Sequence, residues 1–156
     1  MLSVDIPGFR RLELGHLVLD YNGTLAINGL PLLGVREELK FLANDFHIHV
    51  ITADTHGRAA NQLEGSPITL TILPEENQAD LKLRYIHSLG VDSVVAIGNG
   101  RNDRLMLEAA AVGIAVIQRE GASAAAILSA DIVMSSVLEA FDLLRNPKRL
   151  ISTLRS

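Results

Sequence analysis

The sequence predicts an α/β fold, a doubly wound parallel sheet flanked by helices. Short β-rich runs alternate with segments of helical period along the chain. Several of those runs are apolar almost without a break, as strands buried on both faces of a parallel sheet must be. No repeat, low-complexity segment or linker interrupts the alternation, and strand–helix–strand units in steady succession read as right-handed crossovers.

Taken in order, the first strand is expected over residues 17–20, where Leu17-Val18-Leu19 runs into Asp20, and a helix follows over 35–44. The β-branched run of 47–52 gives the second strand and 56–64 the next helix. A third strand is expected at 68–73, ahead of a helix at 76–89. Val94 to Ile97 and Gly113 to Ile117 supply the fourth and fifth strands, with helices at 103–111, 122–128, 136–144 and 147–154. The 156 residues fit one domain, with its core over about 15–144 and a terminal helix over about 147–154.

With 48% apolar residues and only 4% aromatic, Leu, Ile, Val and Ala must fill the core, and too few rings remain to stack bases. A net charge of −4 excludes a broad electrostatic footprint for nucleic acid or anionic lipid. The absence of cysteine excludes disulfides and thiolate metal sites and agrees with a cytoplasmic address. No apolar stretch approaches the roughly 18 residues of a membrane span, and the start of the chain does not read as a signal peptide.

In doubly wound sheets ligands collect beyond the carboxyl ends of the strands. Asp20, Thr52, Asp54, Asn99 and Asp103 all follow predicted strands and converge there if the topology holds. Asp20 is a candidate nucleophile, since a carboxylate fixed at a strand tip can attack phosphorus and carry the phosphoryl as an acyl phosphate. Gly23 permits the tight backbone, and Thr24 places a hydroxyl four residues on. Thr52, with the N–H groups around Ala53, would meet phosphate oxygens, while Asp54 would cap the next helix. Lys82 would offer a mobile point charge to the equatorial oxygens. Asn99 and Asp103, in the loop Gly98-Asn99-Gly100-Arg101-Asn102-Asp103, would hold a hard cation through oxygen, with Mg²⁺ the expected ion.

Each piece also has a plain reading. Asn22-Gly23 and Asn99-Gly100 are turn signals, Thr52 is a strand end, Lys82 is a solvated helix residue, and Asp103 is a first-turn acid. Of the histidines, His47 and His49 share a strand face without a third ligand, which favours a structural role. His16, His56 and His87 read as isolated, with His56 beside the proposed phosphate loop. Pro147-Lys148-Arg149 and Arg155 read as a solvated amphipathic helix. The order and spacing of the site residues together carry the functional reading.

Those residues resemble the haloacid dehalogenase-like superfamily, whose signature is Asp-x-x-Gly-Thr, then Thr or Ser, then Lys, then an acidic Gly-rich loop. Within it, Asp20-Tyr21-Asn22-Gly23-Thr24-Leu25, Thr52-Ala53-Asp54, Lys82 and the loop from Gly98 to Asp103 resemble the phosphorylation domain of P-type ATPases. Ala110 to Ala115 and Ala130 to Val133 continue the likeness, which covers residues 17 to about 144. The stretch between Thr24 and Thr52 is too short for a nucleotide-binding insertion, so the chain is similar to a capless, soluble P-type ATPase-like phosphatase with a Rossmann-like core. The resemblance implies Asp20 as nucleophile and metal ligand, the Asn22 carbonyl as a second ligand, and a phosphate set of Gly23, Thr24, Thr52, Ala53 and Lys82. Asn99 and Asp103 complete the implied Mg²⁺ site.

The sequence departs from that pattern twice. Asn22 stands where efficient phosphatases of the superfamily have an acid, and an amide cannot transfer the proton, a loss worth about 10²–10⁴ in rate. Asn99 replaces the principal loop aspartate, so the metal site loses a formal charge. The expectation is a Mg²⁺-dependent phosphohydrolase of low turnover, acting through phospho-Asp20 on a small phosphate ester. The alternative is a catalytically impaired regulatory or binding domain. With no room for a cap, the site would be open or covered by a neighbouring subunit, and a homo-oligomer is expected; neither nucleic acid nor membrane is expected as a partner.

Overall fold

A computed structural model describes residues 1–54 and 57–156. At its centre lies a six-stranded, wholly parallel sheet with strand order β10-β9-β8-β3-β6-β7. The strands are β3 (His16–Asp20), β6 (His47–Thr52), β7 (Ile68–Ile72), β8 (Val94–Gly98), β9 (Val112–Val116) and β10 (Ile132–Met134). Helices α1 (Val35–Leu42), α2 (Arg58–Gln62), α3 (Gln78–Leu89), α4 (Arg104–Ala109) and α5 (Ala124–Ser129) make the crossovers, and α6 (Val137–Arg145) and α7 (Pro147–Leu154) close the chain. This is the expected doubly wound architecture, a single Rossmann-like core without a substantial cap. The chain winds outward from β3 through β6 to β7, then returns across the sheet to β8. The reversal beside β3 is the switch point where such sheets bind ligands.

Alternate residues of the central strands feed two cores. Leu17, Leu19, Val95 and Ile97 point to one side, against Leu39 of α1 and Phe141 of α6. Val18, Val94 and Ala96 point to the other, against Ile86 of α3 and Met106 of α4. Burial on both faces is what the continuous apolar runs required.

Several elements lie outside the sequence expectations. An antiparallel hairpin of β1 (Leu2–Ile6) and β2 (Arg10–Leu14) buries Val4, Ile6, Leu12 and Leu14 in the first core. Leu150 of α7 is buried with them, so the buried set extends beyond residues 15–144 on both sides. The edge strand β10 was also not expected. A third addition is the miniature hairpin β4 (Ala26–Ile27) and β5 (Leu30–Pro31), whose link Asn28-Gly29 has φ of 52° and 79°. Left-handed φ at both residues is what a two-residue type I′ link demands, and Asn-Gly meets it at least cost. The expected helix over 56–64 appears only as α2, and His56 lies outside the described residues.

Candidate active site

β3 ends at Asp20 and the backbone folds at once into a tight turn. The N–H groups of Thr24, Leu25 and Ala26 all donate to the Tyr21 carbonyl, at 3.2, 2.8 and 3.0 Å. Gly23 has φ of 83°, and a Cβ there would lie 2.6 Å from Glu120 Oε2 and collide with the Asn99 side chain. Glycine is required both by conformation and by close approach. The turn is braced from beneath by the Tyr21 hydroxyl, which donates to the Gly29 carbonyl at 2.8 Å.

Lys82, from the second turn of α3, reaches under the sheet edge. Its Nζ donates to Asp20 Oδ1 and to Asp103 Oδ1, both at 2.7 Å, and its side chain is 1% exposed. One ammonium between two carboxylates leaves the cluster with a net negative charge. Burial raises the Asp20 carboxyl to about 6; the Asp103 carboxylate pushes in the same direction and Lys82 opposes both. Burial by itself would lower the lysine, but Asp20 and Asp103 outweigh it and hold the ammonium above its ordinary range.

The remaining Asp103 oxygen, Oδ2, accepts the N–H groups of Asn99 and Gly100 at 3.0 and 2.9 Å. A Cβ on Gly98 would meet that carboxyl group at 2.5 Å, so the glycine admits it. Thr24 Oγ1 lies 3.4 Å from Asp20 Oδ2 and 3.3 Å from Asn99 Oδ1, while Asn99 Nδ2 donates to the Gly121 carbonyl at 3.1 Å. The Asn99 oxygen is thereby turned toward the Asp20 side.

These groups open into a cleft of about 540 Å³ whose walls include Asp20, Asn22, Thr52, Ala53, Lys82 and Asn99. Asp54, Glu75, Gln78 and Glu120 form part of its rim. Asp54 Oδ2 accepts the Ala59 N–H at 2.6 Å, bracing the first turn of α2 as expected.

Two expected residues sit differently from the sequence reading. Lys82 is not a mobile, solvated charge; α3 packing and two carboxylates fix it in the interior. Asp103 is wholly buried with both oxygens engaged, so it positions Lys82 and the Asn99 loop rather than facing the cleft. His16 is not isolated, because the β3–β6 register pairs it with His47 and places His49 one step along the same face. His16 Nδ1 is 3.1 Å from His49 Nε2, and His49 Nδ1 is 2.9 Å from the Tyr85 hydroxyl. No group of three or more His, Cys, Asp or Glu side chains suited to a metal occurs among the described residues.

Sequence reasoning missed Gln118 and Glu120, on the loop after β9. Gln118 Nε2 donates to the Gly23 and Thr24 carbonyls at 3.1 and 2.9 Å, and its Oε1 accepts the Val137 N–H at 2.7 Å. Both donors and one acceptor position of that amide are filled, fastening the turn after Asp20 to the start of α6. The signal was positional only: both residues follow the carboxyl end of a strand at the expected edge.

The fold is the haloacid dehalogenase-like α/β core. It is similar to a candidate hydrolase of that superfamily, subfamily III A, from Legionella pneumophila, with a TM-score of 0.69 and 18% identity over 91% of this chain and 87% of the other. The cobalt-bound deoxy-D-mannose-octulosonate 8-phosphate phosphatase of Haemophilus influenzae superposes with a TM-score of 0.72 at 15% identity, covering 92% of this chain and 94% of that one. A 3-deoxy-D-manno-octulosonate 8-phosphate phosphatase of Moraxella catarrhalis, in complex with magnesium, phosphate and KDO, gives 0.67 at 16% identity over 92% and 94%. No family model matches the sequence. An uncharacterized protein of Methanocaldococcus jannaschii is 52% identical over 78 residues, 47% of this chain and 84% of that protein, and the chain belongs to the same family as that protein. Among the described residues, no helix is long and apolar enough to cross a membrane.

Proposed function

We propose that this protein is a magnesium-dependent phosphatase of low turnover, acting through a phosphoryl group carried on Asp20. The observation that carries the reading is the buried clamp of Lys82 on Asp20, at the floor of a cleft that Thr52 and Asn99 also line. Fold-level neighbours named as phosphatases, crystallised with magnesium or cobalt, support it.

Asp20 attacks the phosphorus of a small phosphate ester, forming the carboxylate O–P bond as the ester O–P bond breaks. Lys82 directs one carboxylate oxygen and neutralises charge beside the transferring group, which is electrostatic stabilisation by a preorganised donor. Thr52 and the backbone around Ala53 bind phosphate oxygens; the Gly23 and Thr24 N–H groups, expected to join them, already donate to the Ala26 and Tyr21 carbonyls and shape the turn instead. Asn22 offers no proton to the departing oxygen, so esters with good leaving groups are favoured. Water then attacks the acyl phosphate, returning Asp20 and releasing phosphate.

Asp20, the Asn22 carbonyl and Asn99 Oδ1 would hold the cation, with Asp103 behind them. An oxygen-only donor set beside a buried cluster of net negative charge fits a hard divalent ion. Magnesium bound there would supply positive charge to the phosphate oxygens.

Hydrolysis of an activated aryl phosphate in magnesium is the primary assay. Asp20→Asn is expected to abolish it, and mass spectrometry is expected to find a phosphoryl adduct on Asp20 in the parent protein. Turnover that survives Asp20→Asn overturns the covalent mechanism. A second reading, a binding domain that has lost catalysis, is favoured by Asn99 alone. Calorimetry showing no magnesium binding at millimolar ion would select it.

A further inference from the structure

We propose that Glu120 is the general base that releases the phosphoryl group from Asp20, taking the part that the amide of Asn22 cannot. This rests on the phosphatase reading above. Three carboxylates besides Asp20 line the main cleft: Asp54, Glu75 and Glu120. Asp54 is committed to the Ala59 N–H. Glu75 precedes α3, while Glu120 stands against the nucleophile turn, its Oε2 in the space that only a glycine at 23 leaves free.

Glu120 also lines an adjoining cavity of about 420 Å³, shared with Asn22, Asp54 and Arg58. The carboxylate therefore borders both spaces next to Asn22, and it is exposed, so water reaches it freely.

Its loop is held in place from two sides. Gln118 fastens one end to the Gly23 and Thr24 carbonyls. At the other end Asn99 Nδ2 binds the Gly121 carbonyl and the Ser123 N–H donates to the Asn99 carbonyl at 2.8 Å, while the Gly121 N–H closes a turn onto Gln118. A carboxylate on a doubly anchored loop is positioned as a base needs to be, in reach of a water and without a competing ion pair among the described residues.

In the step, Glu120 takes a proton from water as the water oxygen bonds to phosphorus. The acyl-phosphate O–P bond breaks, Asp20 leaves as a carboxylate, and the proton on Glu120 passes to solvent. The preceding transfer to Asp20 does not use Glu120.

The test is the lifetime of the phosphoenzyme in the full chain with an aryl phosphate and magnesium. Glu120→Gln is expected to keep the burst of aryl alcohol, slow decay of phospho-Asp20 by about 10²-fold and let the adduct accumulate. Adding Asn22→Asp to Glu120→Gln is expected to restore decay, a rescue that a merely structural role would not give. Equal slowing of burst and decay, or a changed magnesium requirement with unchanged decay, overturns the proposal. If Asp20-dependent hydrolysis is present and Glu120→Gln decays like the parent, this proposal fails and the phosphatase reading stands; if such hydrolysis is absent, both fail. Glu120 is exposed, and matching melting temperatures would show that the variant is folded.

Discussion

The two ends of β3 and β6 bury titratable groups by opposite means. At the carboxyl-end edge, Asp20 and Asp103 share one lysine ammonium; toward the amino ends, His16 and His49 bind each other and Tyr85. One helix serves both, with Lys82 and Tyr85 a turn apart on α3. Charge is tolerated in the interior where a partner compensates it, and a ring without such a partner gives up its proton instead. Burial lowers His49 to about 4, and it lowers His16 as well, with the neighbouring imidazoles adding to both.

The strongest way to break the contrast is Lys82→Met, which leaves two buried carboxylates without their cation. Stability is expected to fall by about 3–5 kcal/mol, measured by urea titration, and phosphate hydrolysis to disappear. The loss should shrink toward pH 5, where Asp20, raised by burial, takes up a proton.

The two ends should also respond to acid with opposite sign. His49 binds protons more weakly folded than unfolded, so its contribution is complete above pH 6.5 and is lost as pH falls toward 4, amounting to at most about 3 kcal/mol. In metal-free protein Asp20 is raised, so the folded state takes up the proton first and ionising Asp20 costs stability as pH rises from about 4 to about 6. Unfolding free energies across pH 4–7 are expected to steepen in Asp20→Asn, which keeps only the histidine slope, and to flatten or reverse in His49→Phe. Identical pH profiles for the three proteins would show that neither cluster governs the acid response.

Smaller effects sharpen the same comparison. Gln118→Ala leaves the Val137 N–H and two turn carbonyls without their partner and is expected to cost about 1–3 kcal/mol, with lowered kcat for aryl phosphate. Tyr85→Phe removes only the hydroxyl beside His49, and a loss of about 1 kcal/mol is expected in thermal melts with hydrolysis retained.

Much of the edge that carries Asp20 was legible because its parts are local. Asp20 closes an apolar run, Thr52 ends a second, and the Gly98 to Asp103 loop opens a helix. What escaped depends on partners distant in sequence. The burial of Lys82 follows from how α3 lies on the sheet, and the histidine cluster follows from the register of β3 on β6, neither of which a one-dimensional pattern encodes. Gln118 and Glu120 belong to no motif; only the placement of the loop after β9 over the turn that follows Asp20 reveals them. The first hairpin is different, since Val4, Ile6, Leu12 and Leu14 alternate around Pro7-Gly8 and the signal was present. Asn-Gly links a hairpin at Asn28-Gly29, where none was expected, while Asn22-Gly23 bends the turn after Asp20.

That small hairpin is a natural graft point. Its tip is held to the rest of the molecule by the Tyr21 hydroxyl on the Gly29 carbonyl and by Arg58 Nη1 on the Asn28 carbonyl at 3.1 Å. Chain spliced between those two residues would emerge beside the cleft wall that Asn22 and Arg58 share, displacing little besides those contacts. A lid could be added to this scaffold without rebuilding its floor.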